Sequence, residues 1–419
     1  MQPNRIVIIG AGAAGLMAGV FSARAGADVT ILERNEKAGK KIYITGKGRC
    51  NVTNTAEGDD FMAHILRNPR FMYSALDFLS NQDTMALFEE MGVPLKVERG
   101  DRVYPVSDHA SDITAGLVRE LNRLGVEIRY HETVKRLLVA EGRIQGVELS
   151  DGTTMAADGV IVATGGLSYA STGSTGDGYR FARDTGHAVT ATLPALVPVE
   201  TVETWPSRLS GLSLKNVALS ALQTGGKKEK KLYSHQGEML FTHFGISGPL
   251  VLTMSSLLPE DLSKVRLEID MKPALSDEVL ERRVLRDFTE NQRRQLGSVM
   301  DGLVPHNLGV ELLNLAQIPA GKPVHSVTAE ERKAIVHMLK HVPLTPARLR
   351  GYNEAVVTRG GVAVKHVNAS TMESKLVNGL YFAGETLDLD ATTGGFNLQI
   401  AFSTGALAGH SAALREAME

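Results

Sequence analysis

The sequence is poor in features that would fix a function by themselves. It has one cysteine, Cys50, in 419 residues, so no intrachain disulfide can form and a reducing compartment is expected. Net charge is almost absent: 45 Lys plus Arg stand against 47 Asp plus Glu, giving −2. A global polyanion-binding charge is therefore excluded, while a local basic patch stays open. There is no low-complexity tract, and with 43% hydrophobic and 22% charged residues the composition is that of a folded globular protein. No metal-ligand spacing is found and no Ser–His–Asp arrangement stands out, so no metal is expected. Ile6 to Ala23 form a charge-free apolar stretch, but Gly10, Gly12, Gly15 and Gly19 interrupt it and Glu33 closes the next apolar run. A strand, tight turn and helix explain this pattern better than a signal sequence or a membrane span. No targeting signal and no membrane association are read, and a cytoplasmic protein is expected.

What the sequence does have is glycine, 42 residues of it, and much of it falls in clusters. Ile6-Val7-Ile8-Ile9 reads as a buried parallel strand, because it is a continuous β-branched run ending in glycine. Gly10-Ala11-Gly12-Ala13-Ala14-Gly15 then forms an intact G-x-G-x-x-G, followed by a helix to about Ala25 with Gly26 as its C′ residue. A second strand, Val29 to Leu32, delivers Glu33. In such a unit the first glycine allows the turn, the second lets backbone reach a pyrophosphate, and the third lets helix pack on strand. The phosphates sit on the free N–H groups of the helix, and Glu33 can accept hydrogen bonds from ribose hydroxyls. The acid favours an adenine dinucleotide without a 2′-phosphate, FAD or NAD.

Further along stand Ala38-Gly39-Lys40-Lys41 and Thr45-Gly46-Lys47-Gly48-Arg49-Cys50-Asn51-Val52-Thr53-Asn54. Later blocks are Ala163 to Tyr169, Gly173 to Tyr179, Phe241 to Pro249, Tyr381 to Glu385 and Gly394 to Gln399. Together with the N-terminal turn these resemble, nearly end to end, the BaiN/RdsA (YhiN-type) flavoprotein family, relatives of the fumarate-reductase-like FAD enzymes. The resemblance implies an α/β fold: a Rossmann-like FAD-binding domain of glutathione-reductase/fumarate-reductase type, with an inserted β-barrel plus helical domain. It implies FAD held by Gly10, Ala11, Gly12, Ala13, Ala14, Gly15, Glu33 and Arg34, with Lys41 nearby. Gly46, Gly48, Arg49, Cys50 and Asn51 would lie along the pyrophosphate and flavin, where small residues let backbone N–H groups cradle phosphate. Val134, Ala163, Thr164, Gly165 and Gly166 are expected at the cofactor too. Gly384, Glu385 and Asp388 resemble the second flavin signature. Gly395, Asn397 and Leu398 open the last helix, whose N–H groups would face flavin N1 and O2. Ala170 and His366 depart from residues common in relatives, proline and an acid respectively.

For the rest of the chain, strand patterns at Val126–Tyr130, Val134–Ala140 and Arg143–Glu148 read as a meander, and Gly159 to Ala163 as a return to the parallel sheet. Residues 1–192 and 351–419 are expected to form the FAD domain. The insert divides into a β-barrel, 193–270, and a helical part, 271–350, with helix from about Asp277 to Leu349. Thr328-Ala329-Glu330-Glu331 is a capping box. Leu315 to Arg332 resembles a helix-turn-helix hairpin of ribosomal protein S13. The insert holds 20 Lys plus Arg against 17 Asp plus Glu, a slight excess, and Lys227 to Lys231 reads first as a solvated hairpin tip.

The family resemblance implies hydride transfer from flavin to an activated C=C bond, with a uridine of large-subunit rRNA or an unsaturated small molecule such as a keto-bile acid as substrate. With no second GxGxxG, NAD(P)H is expected as a transient reductant. Cys50, Arg49 and His243 are the candidate catalytic residues. Cys50 could donate a proton, or fill space as a buried small residue. Arg49 could hold a substrate carbonyl, a substrate phosphate or the FAD pyrophosphate, and His243 could donate a proton. An FAD-dependent amine oxidase and an FAD-containing RNA-binding or ribosome-assembly protein are the competing readings. The sequence carries no mark of oligomeric state.

Overall fold

The computed structural model describes residues 3–226 and 228–415; Lys227, in the expected hairpin tip, lies outside the described residues. The chain forms two compact units, one of residues 1–195 with 352–419 and the other of residues 196–351.

The first unit is built on five parallel strands: β1 (Arg5–Ile9), β2 (Asp28–Glu33), β3 (Glu127–Tyr130), β4 (Gly159–Val162) and β5 (Leu380–Phe382). Their order across the sheet is β5-β4-β1-β2-β3. Ile6, Ile8, Ile31 and Val160 to Val162 are almost fully buried, as a sheet covered on both faces requires. Residues 127–130 therefore do not start a meander. They pair in parallel with β2, since Thr30 to Glu33 take Glu127 to Tyr130 as partners. The meander consists of Val134–Ala140, Arg143–Leu149 and Thr154–Ala156. Leu193–Ala195 and Val357–Arg359, which flank the insert, pair antiparallel with each other.

Helix α1 (Ala13–Arg24) follows β1 and ends as expected: Gly26 has φ 90°, and Ala27 N–H reaches the Ser22 carbonyl, a Schellman closure. Helix α2 (Phe396–Ala413) comes from the other end of the chain and lies against α1. A Cβ at Gly405 would stand 2.3 Å from the Ala14 carbonyl oxygen, and one at Gly409 would stand 2.2 Å from that of Ala18. The Ser22 hydroxyl donates to the Gly409 carbonyl at 2.9 Å.

The second unit is a seven-stranded antiparallel sheet with helices. Its order is Val342–Leu344, Val265–Asp270, Ser213–Gln223, Lys230–Thr242, Gly245–Ser247, Val199–Thr201, Pro346–Leu349. The two edge strands are separated in the chain by Thr345 alone, so the sheet must curl until its edges meet, as in a barrel. This corrects the expected helix to Leu349: helices occupy Asp277–Glu290, Leu296–Met300, His306–Leu315 and Ala329–Lys340, and residues 342–349 are strand. Because the sheet takes strands from both ends of the insert, strands and helices share one core, with Leu267, Ile269, Leu280, Val284, Leu312 and Leu339 all within it. The Thr328–Glu331 capping box is present. Among the described residues no helix is long and apolar enough to cross a membrane.

The contact between α1 and α2 yields a prediction. Gly409→Val should destabilise the first unit by at least about 3 kcal/mol, because the obstacle is backbone and cannot rotate away. Urea unfolding measures this, and a loss below about 1 kcal/mol would contradict the packing.

Candidate functional site

At their carboxyl ends β1 and β4 run into Gly10 and Ala163, β2 ends on Glu33, and β5 is followed, after Ala383, by Gly384, the edge where open α/β sheets bind ligands. Each glycine of the turn is there for a different reason. Gly10 has φ 102° and a Cβ there would stand 2.7 Å from the Ala163 carbonyl oxygen. A Cβ on Gly15 would strike the Gly10 carbonyl oxygen at 1.8 Å. Gly12 has φ −83°, and nothing lies within 4 Å of its missing Cβ. The fold requires the first and third glycines, whereas the second keeps space open beside the N-terminus of α1. That terminus, including Ala13 and Ala14, has neither a side-chain cap nor an acidic residue in its first turn, which leaves N–H groups for an anion.

Glu33 is buried, and its Oε2 accepts the Ala11 N–H at 2.8 Å while Oε1 accepts from Asn35 N at 2.8 Å and Asn35 Nδ2 at 2.6 Å. The acid thus locks the turn to the second strand, and a carboxylate still has lone-pair capacity for a ribose hydroxyl. Val134 is buried nearby: Glu132 N–H bonds the Glu33 carbonyl at 2.9 Å, two residues before it. Arg34 is paired with Asp177 at 2.9 Å and bonds Thr175.

Lys41, Ser168, Thr358 and Glu385 form a network across four chain segments. Lys41 Nζ donates to Glu385 Oε2 at 2.6 Å and to Ser168 Oγ at 2.7 Å. Ser168 Oγ and the Thr358 N–H both donate to Glu385 Oε1, at 2.8 and 2.7 Å, and Thr358 Oγ1 accepts from Leu167 and Ser168 N–H. Glu385 therefore positions Lys41 and the loop after Gly165 and Gly166. Ser168 lies in the Ala163 to Tyr169 block but was not singled out, and Thr358 has no motif of its own.

The Gly46–Asn51 loop is unusual in its backbone. Gly46, Lys47, Gly48 and Cys50 all have positive φ. Asn51 Oδ1 and Thr164 Oγ1 are buried with no hydrogen-bond partner, two orphaned groups beside the expected cofactor backbone. At the other chain end Gly395 has φ 102°, and a Cβ there would lie 2.2 Å from the Thr53 carbonyl oxygen. Gly395 caps α2, whose first turn again lacks an acid and a side-chain cap. Leu398 is partly exposed in that turn. Asn397 spends its amide on the preceding loop, accepting from Ala391 N at 3.0 Å and donating to the Ala391 and Thr392 carbonyls.

Cys50 and Arg49, two of the candidate catalytic residues, have well-defined surroundings. Cys50 has no exposed surface, and burial pushes its thiol up to about 12. It packs. The Arg49 guanidinium is taken by Glu98 and by Asp108, the latter at 2.6 Å, and stacks on Tyr104 at 4.2 Å. These bonds hold the Arg49 pKa up, and Arg49 in turn lowers that of Glu98; Asp108 is lowered by Lys96 first and Arg49 second. Two protein carboxylates thus hold the Arg49 guanidinium in place. His243 lies in the second unit, at the exposed two-residue tip between Thr242 and Gly245, edge-on to Phe244.

Asp388, expected from the sequence, has a buried acid partner that the sequence did not reveal. Asp388 and Asp390 both approach Arg67 Nε, at 3.6 and 3.4 Å. Both Asp390 oxygens and Asp388 Oδ1 are buried without a hydrogen-bond partner. Burial, only partly offset by Arg67 and Arg359 and reinforced by Asp388, pushes Asp390 up to about 6. Among the described residues no group of three or more His, Cys, Asp and Glu is placed to hold a metal ion.

A family profile described as the HI0933-like protein Rossmann domain matches residues 4–411. The chain belongs to the HI0933-like family. It is 34% identical over 420 residues, 98% of its own length and 100% of the relative's, to a 3-dehydro-bile acid delta(4,6)-reductase of Clostridium scindens. It is 34% identical over 408 residues, 96% of its length and 97% of the relative's, to a ribosomal RNA dihydrouridine synthase of Haemophilus influenzae. Its fold is similar to that of a 3-ketosteroid delta1-dehydrogenase from Sterolibacterium denitrificans, with TM-score 0.51, 14% identity and coverage of 98% and 99%. The open space at Gly12, the uncapped starts of α1 and α2 and the orphaned Asn51 and Thr164 oxygens fit FAD.

Gly12→Glu tests this fit cleanly. A Cβ there meets no protein atom within 4 Å, so thermal stability without flavin should hold, while a carboxylate at the phosphate position should cut bound FAD by at least about tenfold. Flavin retained at wild-type stoichiometry would refute the placement.

Proposed function

We propose that this protein is an FAD-dependent reductase that delivers hydride to a C=C bond of an rRNA uridine or of an unsaturated small molecule. The observation that carries the reading is the near end-to-end match to two relatives whose names both describe C=C reduction, together with a site that fits FAD in this chain. Bound FAD supplies the hydride, and the protein supplies its orientation, its charge environment and the exclusion of water. The turn at Gly10 to Gly15 and the start of α2 supply backbone N–H groups from the two chain ends. Glu385 fixes Lys41 at 2.6 Å, which places a cation at the same edge of the sheet. NAD(P)H is the proposed reductant of the flavin, visiting transiently, and the cytoplasm the proposed compartment.

The test is a pair of half-reactions without oxygen. NADPH or NADH should bleach the yellow protein. Adding either large-subunit rRNA from cells lacking the gene, or a 3-oxo-4,6-diene bile acid, should restore the colour, with the product carrying two more hydrogens by mass spectrometry. Peroxide formed from an amine in air, with no acceptor reduced, would favour an amine oxidase. Absence of both half-reactions would favour an RNA-binding role.

A further inference from the structure

The Arg67, Asp388 and Asp390 group is hard to explain as structural glue. A buried ion pair stabilises only when hydrogen bonds satisfy the charges it removes from water. Here two carboxylates converge on one nitrogen at 3.4 and 3.6 Å, and three of their four oxygens have no hydrogen-bond partner. Asp390 is 1% exposed. An arrangement so poorly satisfied costs stability and persists where it does something else.

Its geometry is one-sided. Arg67 Nε is buried beside the acids, yet the side chain as a whole is 39% exposed. Its base is fixed. Leu66 N–H bonds the Asp390 carbonyl at 2.9 Å, Ile65 pairs with Ala391, and Asn68 Nδ2 donates to the Asp388 carbonyl at 2.7 Å. Asn397, in the first turn of α2, clamps Ala391 and Thr392. Arg67 is thereby tied to the loop that runs into Gly394 and Gly395, the C-terminal half of the cofactor cradle. Three cations expected at the cofactor are held by acids: Arg49 by Glu98 and Asp108, Arg34 by Asp177, Lys41 by Glu385.

We propose that Arg67 binds the carbonyl oxygen of an α,β-unsaturated carbonyl acceptor, aimed there by the two buried carboxylates behind it. The proposal rests on the reductase reading and narrows its substrate class. A 3-oxo-4-ene and a uracil ring share one feature, a C=C bond conjugated to a carbonyl. Bound reduced FAD would supply a hydride for the new C–H bond at the β-carbon, and the π pair would move so that charge gathers on the carbonyl oxygen. A solvent-derived proton then adds at the α-carbon, and the flavin is left oxidised, to be reduced again by the nicotinamide. A guanidinium on that oxygen stabilises the charge as it develops, which is where an electrostatic contact accelerates a reaction.

The acids also give the contact a pH dependence. Asp390 faces Arg67 from the residue 64–68 segment, Arg359 from Val357–Arg359 and Asp388 from its own loop; His64 bonds the neighbouring Thr392. With Asp390 protonated, the group carries one more positive charge and draws the carbonyl oxygen more strongly.

The experiment follows reoxidation of the reduced wild-type protein and of Arg67→Gln, Arg67→Lys and Asp390→Asn by the bile acid and rRNA acceptors. Arg67→Gln should slow reoxidation at least about 100-fold and leave FAD content and bleaching by NAD(P)H unchanged, with Arg67→Lys recovering part of the rate. Wild-type reoxidation should fall as pH rises through about 6, and Asp390→Asn should remove that fall. Normal reoxidation by Arg67→Gln, or an unaltered pH profile in Asp390→Asn, would overturn the assignment while leaving the reductase reading intact. Wild-type protein whose reduced flavin neither acceptor reoxidises would refute the reading and the assignment with it.

Discussion

The C-terminal helix lies on the dinucleotide helix with no side chain between them, and the rest of the candidate site depends on that approach. Gly405 and Gly409 present bare Cα atoms to the Ala14 and Ala18 carbonyls, and Gly384 faces the Ala14 methyl, a Cβ there standing 2.7 Å away. Gly384 N–H in turn bonds Thr404 Oγ1 at 2.9 Å. Residues almost 400 positions apart thus share one packing surface. If the helices stood a side chain further apart, the uncapped starts of α1 and α2 would not serve one ligand.

Closeness at the sheet edge is matched by strict charge pairing. Glu33 locks the turn, Glu385 locks Lys41, and Glu98 with Asp108 locks Arg49. Each pair fixes a loop in place more than it adds net stability, since half-exposed ion pairs contribute little. The Arg67 group differs because its acids are buried while its cation is partly exposed.

Much of this was legible in the sequence, for reasons of distance along the chain. Gly10, Gly12, Gly15 and Glu33 lie within one β–α–β unit, so local spacing alone placed them. The edge strand at Glu127–Tyr130 was misplaced because strand propensity does not tell which neighbour a strand pairs with, and here the partner was β2, almost 100 residues earlier. Residues 342–349 follow a strong helix without a glycine stop, so the pattern ran on; pairing with Val265–Asp270 and Val199–Thr201 decides their state. Thr358, Arg67 and Asp390 belong to no motif, and Ser168, although inside the Ala163 to Tyr169 block, acquires its partners Lys41 and Glu385 only through the fold. Cys50 was attractive because its loop is glycine-rich, but the positive φ of Cys50 itself accompanies a side chain buried in the core.

The central claim is that one FAD is held jointly by both ends of the chain. Hydrogen–deuterium exchange of flavin-free protein with and without added FAD tests it most directly. The account predicts slowed exchange on binding in both the Gly10–Gly15 turn and the Gly384–Gln399 segment. Protection confined to the N-terminal turn, with the C-terminal segment unchanged, would contradict it.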